Sequence, residues 1–174
     1  MPVIDWTRTD LKHKMPNGAI ALRFDQDRFA AFDLFILKRE SAEDDYTALE
    51  IKRAQTAYQA MSPAEIENLT ETIIAGLPGK MTEGYSLENF RRALECYSGM
   101  THSDLRANLM AFLAKVLPHA EQAGVKLAIH PDDPPWDMFG LPRIICTPSD
   151  LDILFGGLPS PSNGMTLCLS LIHI

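Results

Sequence analysis

Cysteine is scarce in this 174-residue chain: three residues, Cys96, Cys146 and Cys168. An odd, widely spaced set argues against a disulfide framework and points to a reducing, cytoplasmic compartment. There an isolated cysteine is either a small buried hydrophobe or a reactive or metal-binding thiolate. Basic residues are also short, 16 against 23 acidic ones for a net charge of −7, which excludes a general phosphate-backbone binder. No block of Lys and Arg marks a membrane-surface patch, and no apolar run has the length to cross a bilayer. The N-terminus lacks a basic-then-apolar signal pattern. Neither nucleic acid nor membrane is therefore an expected partner. Repeats and low-complexity segments are missing too. The glycines near Lys80 lack phosphate-loop spacing, so nucleotide binding is not expected.

What is present is the length of one ordinary domain, with hydrophobic content sufficient for a sizeable core. Val3 and Ile4 read as the end of a strand with no turn or cap before them, which raises the expectation of missing upstream chain. Asp5, Trp6 and Arg8 either line a polar-substrate pocket or form a solvated loop. Asn17-Gly18 is the strongest hairpin signal, flanked by short ribbon strands at Lys12 to Met15 and Ala19 to Phe24. Gln26 to Lys38 fits a helix buried over a wide face, and Glu43-Asp44-Asp45 reads as a solvated loop.

Thr47-x-x-Glu50 and Ser62-Pro63-Ala64-Glu65 have capping-box spacing, the second with Pro where its missing N–H costs nothing. The second helix should run to about Ala75 and stop at Gly76-Leu77-Pro78-Gly79. A further helix fits Leu87 to about Tyr97. The clearest helix spans Ser103 to about Gln122, with Leu105, Leu109, Phe112, Val116, Leu117 and Ala120 on one face and Pro118 as a candidate kink.

Gly124 punctuates that helix before an apolar run, Val125 to His130, which reads as a buried strand. The strand stops at His130, and Pro131-Asp132-Asp133-Pro134-Pro135 can continue neither strand nor helix. Local sequence alone favours a strand-end histidine that hydrogen-bonds a neighbouring carbonyl over a metal ligand, because no strong metal-ligand spacing lies nearby. Thr147-Pro148-Ser149-Asp150 caps a short helix, Pro148 to Phe155, which ends at Gly156-Gly157. Met165 to Cys168 then reads as another strand. Helix, strand, long loop, helix, strand make a β-α-β unit with parallel strands. His130 and Cys168 would close neighbouring strands at the carboxyl-end face, where such folds build their sites. Imidazole and thiolate both bind divalent transition ions, which lifts the metal reading.

Six segments in order resemble the D-mannonate dehydratase family: Asp5 to Asp10, Ala21 to Asp25, Ile73 to Gly79, His130 to Pro135, Gly140 to Ile144, and Ser162-Asn163-Gly164. The resemblance covers nearly all of residues 1–168. It implies an α/β fold, a partial (β/α)₈ TIM barrel of the xylose-isomerase-like kind, incomplete at both ends. Residues of about 12–99 would be a largely helical insertion over the barrel mouth. It also implies metal-dependent dehydration of D-mannonate to 2-keto-3-deoxy-D-gluconate in hexuronate catabolism, with Mn²⁺ or Fe²⁺ held by His, Cys, His and Asp. His130 and Cys168 match the first two ligands. The other two and most acid/base residues would lie beyond this chain, so no catalytic residue is assigned.

Arg8, Asp132 and Asn163 are candidates for contacts to substrate or around the metal ligands, with Asp132 equally readable as a loop cap. The partner is a small sugar acid, and a homo-oligomer stays open for a full-length parent. A whole barrel takes roughly 250 residues, so this chain reads as an internal fragment that is inactive by itself. Residues 169–174 depart from the family pattern, and His173 among them is not taken as a ligand. Another xylose-isomerase-like isomerase or epimerase, or a non-catalytic truncated product, are the alternatives. The Asp132-Asp133-Pro134-Pro135 loop favours the dehydratase.

Overall fold

A computed structural model describes residues 7–75 and 86–168 of the chain. The expected strand end at Val3 and Ile4, Asp5 and Trp6, the turn Gly76 to Gly79, Lys80, and the tail 169–174 with His173 lie outside the described residues. The chain divides into two compact units, Met1–Ser98 and Gly99–Ile174. It is a mixed helix and strand structure with two two-stranded sheets, one antiparallel and one parallel. No closed barrel forms among the described residues.

In the first unit, β1 (Asp10–Lys14) and β2 (Ile20–Arg23) form the hairpin that Asn17-Gly18 predicted. Gly18 adopts φ 86°, the left-handed region where a Cβ is costly, and its N–H donates to the Met15 carbonyl at 2.9 Å. The expected single helix from Gln26 is split. α1 (Gln26–Ala31), capped by Asp25, gives way to a π-helical segment, Phe32–Leu37. The wider turn ends at Lys38, whose φ of 53° reverses the chain. Arg39 is thereby brought back onto Asp33, and Glu43-Asp44-Asp45, read as a solvated loop, is exposed but lies in a 3-10 turn, Ala42–Asp45, tied to Arg39 through Asp45. α2 (Ala48–Ala60) and α3 (Pro63–Ala75) start at the two expected capping boxes. α4 spans Leu87–Glu95, two residues shorter than expected. Phe32 and Phe90 meet edge-on at 6.3 Å in the core of this unit.

In the second unit, α5 runs His102–Gln122, beginning one residue before the predicted start because Thr101 and Asp104 form a further capping box. Pro118 does not end it. Pro118 and Ala114, the carbonyl it leaves without an N–H, sit on the exposed face, where solvent can serve the freed group. The buried stripe is Leu105, Leu113, Leu117 and Ala120, while Phe112, expected inside, is 58% exposed. The Val125 N–H bonds the Ala120 carbonyl and the Gly124 N–H that of Glu121, a Schellman closure with Gly124 at φ 68°. This turns the chain directly into β3 (Leu127–Ile129).

α6 spans Pro148–Gly157, passing through both glycines that were expected to stop it. Asp150 organises its start. Its carboxylate accepts from the Cys146 and Thr147 amides and the Thr147 hydroxyl at 2.8–3.1 Å, and from Arg106 of α5 at 2.8 Å. Partial burial raises its pKa, but the Thr147 hydroxyl, the two amides and Arg106 outweigh that and hold it below the usual carboxylate range. A depressed carboxyl stabilises the fold above its unfolded pKa of about 4, and that contribution is lost as pH falls through the lower folded value. Asp150→Ala is therefore expected to cost about 2 kcal/mol at neutral pH. In thermal melts, the gap between wild type and variant should narrow once pH drops below about 4.

β4 is Asn163–Met165. It pairs in parallel with β3 in the register Leu127↔Asn163, Ala128↔Gly164, Ile129↔Met165. Leu127 and Ile129 pack against the buried cluster of Leu113, Leu117, Ile145 and Leu154. The β3–α6–β4 order is the expected β-α-β unit. No helix among the described residues is long and apolar enough to cross a membrane.

Candidate metal centre

Parallel pairing carries His130 and Cys168 to the same end of the sheet. His130 is the residue after β3, and Cys168 lies three residues after β4. The ladder extends past both strands: the Leu127 N–H donates to the Ser162 carbonyl at 2.9 Å and the Thr166 N–H to the Ile129 carbonyl at 2.8 Å. The expected strand Met165 to Cys168 is thus shifted toward the N-terminus. A Cβ at Gly164 would lie 3.4 Å from the Leu127 carbonyl oxygen, an ordinary contact.

The His130 and Cys168 side chains lie close enough to interact with each other. His130 Nδ1 lies 2.7 Å from the Pro131 carbonyl oxygen. A carbonyl only accepts, so the ring proton of the neutral imidazole is on Nδ1 and the lone pair is on Nε2. The bond to a neighbouring carbonyl exists, and it leaves the other nitrogen in the state a metal requires. Partial burial lowers the imidazole pKa, but Cys168, the Pro131 carbonyl and Asp133 outweigh it, and the net shift is upward.

None of the three cysteines is in a disulfide. Cys146 is a poor candidate for a thiolate: burial, followed by the carboxylates of Asp132, Asp150 and Asp137, pushes its thiol up to about 12 despite Arg143. Cys168 is the cysteine that the fold brings to a histidine. Imidazole beside thiol is a donor pair suited to a divalent transition ion, Fe²⁺ readily and Mn²⁺ when oxygen donors complete the set. Among the described residues no group of three or more such donors assembles, so the pair does not by itself make a metal site.

The other expected site residues are placed as follows. Asp132 Oδ2 accepts from the Ile144 and Ile145 amides at 2.8 and 2.7 Å, the loop-cap role read from sequence, and Oδ1 lies 3.4 Å from Arg143 Nε. Asn163 Nδ2 donates to the Leu158 carbonyl at 3.0 Å, closing the turn from α6 into β4. Arg8 belongs to the other unit, where it is buried and donates to the Thr7 carbonyl at 2.9 Å. The sequence pointed to a neighbouring carbonyl for His130 but did not single out that of Pro131. The Pro after His was visible, but a proline's carbonyl leaves no mark on residue patterns.

The D-mannonate dehydratase (UxuA) family model matches residues 1–173. The chain is 48% identical over 168 residues to a mannonate dehydratase of Marinomonas sp. (strain MWYL1), covering 97% of this chain and 43% of that protein. It is 49% identical to a mannonate dehydratase of Brucella melitensis biotype 2, covering 97% of this chain and 42% of that one. It therefore spans less than half the length of these relatives. The crystal structure of mannonate dehydratase from Streptococcus suis serotype 2 superposes with a TM-score of 0.55 at 34% identity, over 97% of this chain and 34% of that one. By the match to the family model over almost its whole length, the chain belongs to the D-mannonate dehydratase family.

Proposed function

We propose that, within a chain of family length, these residues form the first half of a metal-dependent dehydratase site that converts D-mannonate to 2-keto-3-deoxy-D-gluconate and water. The observation that carries the reading is the contact between His130 and Cys168 at the carboxyl ends of parallel β3 and β4. The β3–α6–β4 unit is read as two consecutive strands of a (β/α)₈ barrel, with the site at the face where such barrels work. A reducing cytoplasm fits a thiol that must stay unoxidised to serve.

When bound, a divalent ion there supplies Lewis acidity, drawing charge from substrate oxygens as a proton leaves the carbon beside the carboxylate and a hydroxyl leaves the next. The roles of this chain's own groups follow from their placement. His130 presents Nε2 while the Pro131 carbonyl keeps the proton on Nδ1. Cys168 presents sulfur from the neighbouring strand end. A sugar acid also needs a cation for its carboxylate and polar groups for its hydroxyls; Asn163, at the amino end of β4, lies away from the end of the sheet that carries His130 and Cys168.

The test is a chimaera in which this sequence replaces the stretch it aligns with in the Marinomonas relative, assayed for mannonate consumption with added Mn²⁺ or Fe²⁺. Turnover by the chimaera and none by the 174-residue chain alone is expected, because the pair is two donors short of the implied four. A folded, metal-loaded chimaera that leaves mannonate untouched but isomerises a sugar would move the site to an isomerase.

A further inference from the structure

Asp132 holds more of the chain around His130 than a simple loop cap does. Its carboxylate Oδ2 takes the Ile144 and Ile145 amides at 2.8 and 2.7 Å. Its own N–H donates back to the Ile145 carbonyl at 2.9 Å. Three hydrogen bonds thus join one residue to a two-residue segment, and Arg143 adds an ion pair at 3.4 Å to Oδ1. That N–H belongs to the Pro131–Asp132 peptide, whose other end is the Pro131 carbonyl. In a planar trans peptide the N–H and C=O point in opposite directions. Fixing the N–H on Ile145 therefore aims the carbonyl away from it, where it accepts His130 Nδ1–H at 2.7 Å. Rotating the peptide would break both bonds together.

We propose that Asp132 is a positioning residue: by clamping the Ile144–Ile145 backbone it locks the Pro131–Asp132 peptide, and through the Pro131 carbonyl it sets the tautomer and direction of His130. The metal consequence rests on the reading of His130 as a ligand; the tautomer consequence does not. A carboxylate in a His-Pro-Asp turn would then serve the imidazole without touching it.

The experiment compares wild type with Asp132→Asn, Asp132→Glu and Asp132→Ala. Asparagine keeps an oxygen for the two amides, glutamate keeps the charge but misplaces it, and alanine removes both. In the 174-residue chain, long-range ¹H–¹⁵N spectra at mildly alkaline pH, assigned with His130→Gln, report which ring nitrogen carries the proton. Wild type and Asp132→Asn are expected to show Nδ1–H at His130, and Asp132→Glu and Asp132→Ala a mixture. In the chimaera, Co²⁺ titration followed by its thiolate charge-transfer band is expected to weaken about 10- to 100-fold for Glu and Ala and little for Asn. Should Asp132→Ala fail to fold, the Glu variant carries the comparison. A fixed Nδ1–H tautomer in a folded Asp132→Glu or Asp132→Ala protein, or equal losses in Asn and Ala, would overturn the proposal. Co²⁺ binding by no protein, together with the expected tautomer change, would sink the metal reading and leave the positioning of His130 standing.

Discussion

In the family-length chimaera, His130→Ala or Cys168→Ala should each strip the divalent ion and lower mannonate turnover by at least about 10²-fold. That bound follows because losing a group that merely orients a ligand already costs 10- to 100-fold in affinity or activity. The two losses should not multiply, since a site missing either donor is already without its ion. Cys168→Ser is the informative companion. It keeps the position on the strand end but replaces a soft donor with a hydroxyl that stays protonated near neutral pH, so metal retention should fall nearly as far. Cys146→Ser should change neither quantity, because its thiol is held neutral by burial and nearby carboxylates. Metal analysis of the purified proteins decides the matter before any assay. Unchanged metal content in the folded His130→Ala or Cys168→Ala protein would remove that residue from the set.

Much of this was legible in the chain because its signals are local. Asn17-Gly18 names a hairpin through the left-handed backbone that glycine tolerates, and Thr47, Ser62 and Thr147 name helix starts through hydroxyls three residues ahead of a carboxylate. The β-α-β order and the shared end for His130 and Cys168 came from apolar runs bounded by Gly and Pro. Long-range choices were not legible. Phe112 matched the apolar period of α5 as well as Leu113 did, and only packing against Ile145 and Leu154 decides which face is buried. The β4 strand, Asn-Gly-Met, has no strand composition at all; it is a strand because Ser162 and Thr166 complete a ladder with β3. Asp132 and Asp133 look alike in sequence, and only the amides of residues 144 and 145 single out the first. The wide turn at Phe32–Leu37 was hidden inside an apolar stretch that fits an ordinary helix equally well.

That wide turn sets up the largest expected stability loss, about 3–5 kcal/mol for Arg39→Met. Asp33 is fully buried within the π-helical segment. Arg39 forks onto it, Nε to Oδ1 at 3.0 Å and Nη2 to Oδ2 at 2.8 Å, while the Tyr46 hydroxyl donates to Oδ2 at 3.0 Å. Tyr46 stays a phenol, since burial and then Asp33 push its pKa upward. Arg39 is only 16% exposed and also holds Asp45 at 2.6 Å. Removing the guanidinium leaves a carboxylate in an apolar surround, where burial already pushes its pKa up. In the variant only the Tyr46 hydroxyl still opposes that rise, so Asp33 should fold protonated. A raised carboxyl pKa makes folding take up a proton, and stability then falls as pH climbs from the unfolded value of about 4 through the folded one. Denaturant titrations of Arg39→Met should therefore show a deficit that is smaller at about pH 5 than at about pH 7. The double variant Asp33→Leu/Arg39→Met removes the stranded charge and should recover most of the loss, with Tyr46→Phe added to take away the hydroxyl left without its acceptor. A deficit independent of pH, or no recovery in the double variant, would mean that Arg39 acts through packing of its stem and not through its charge.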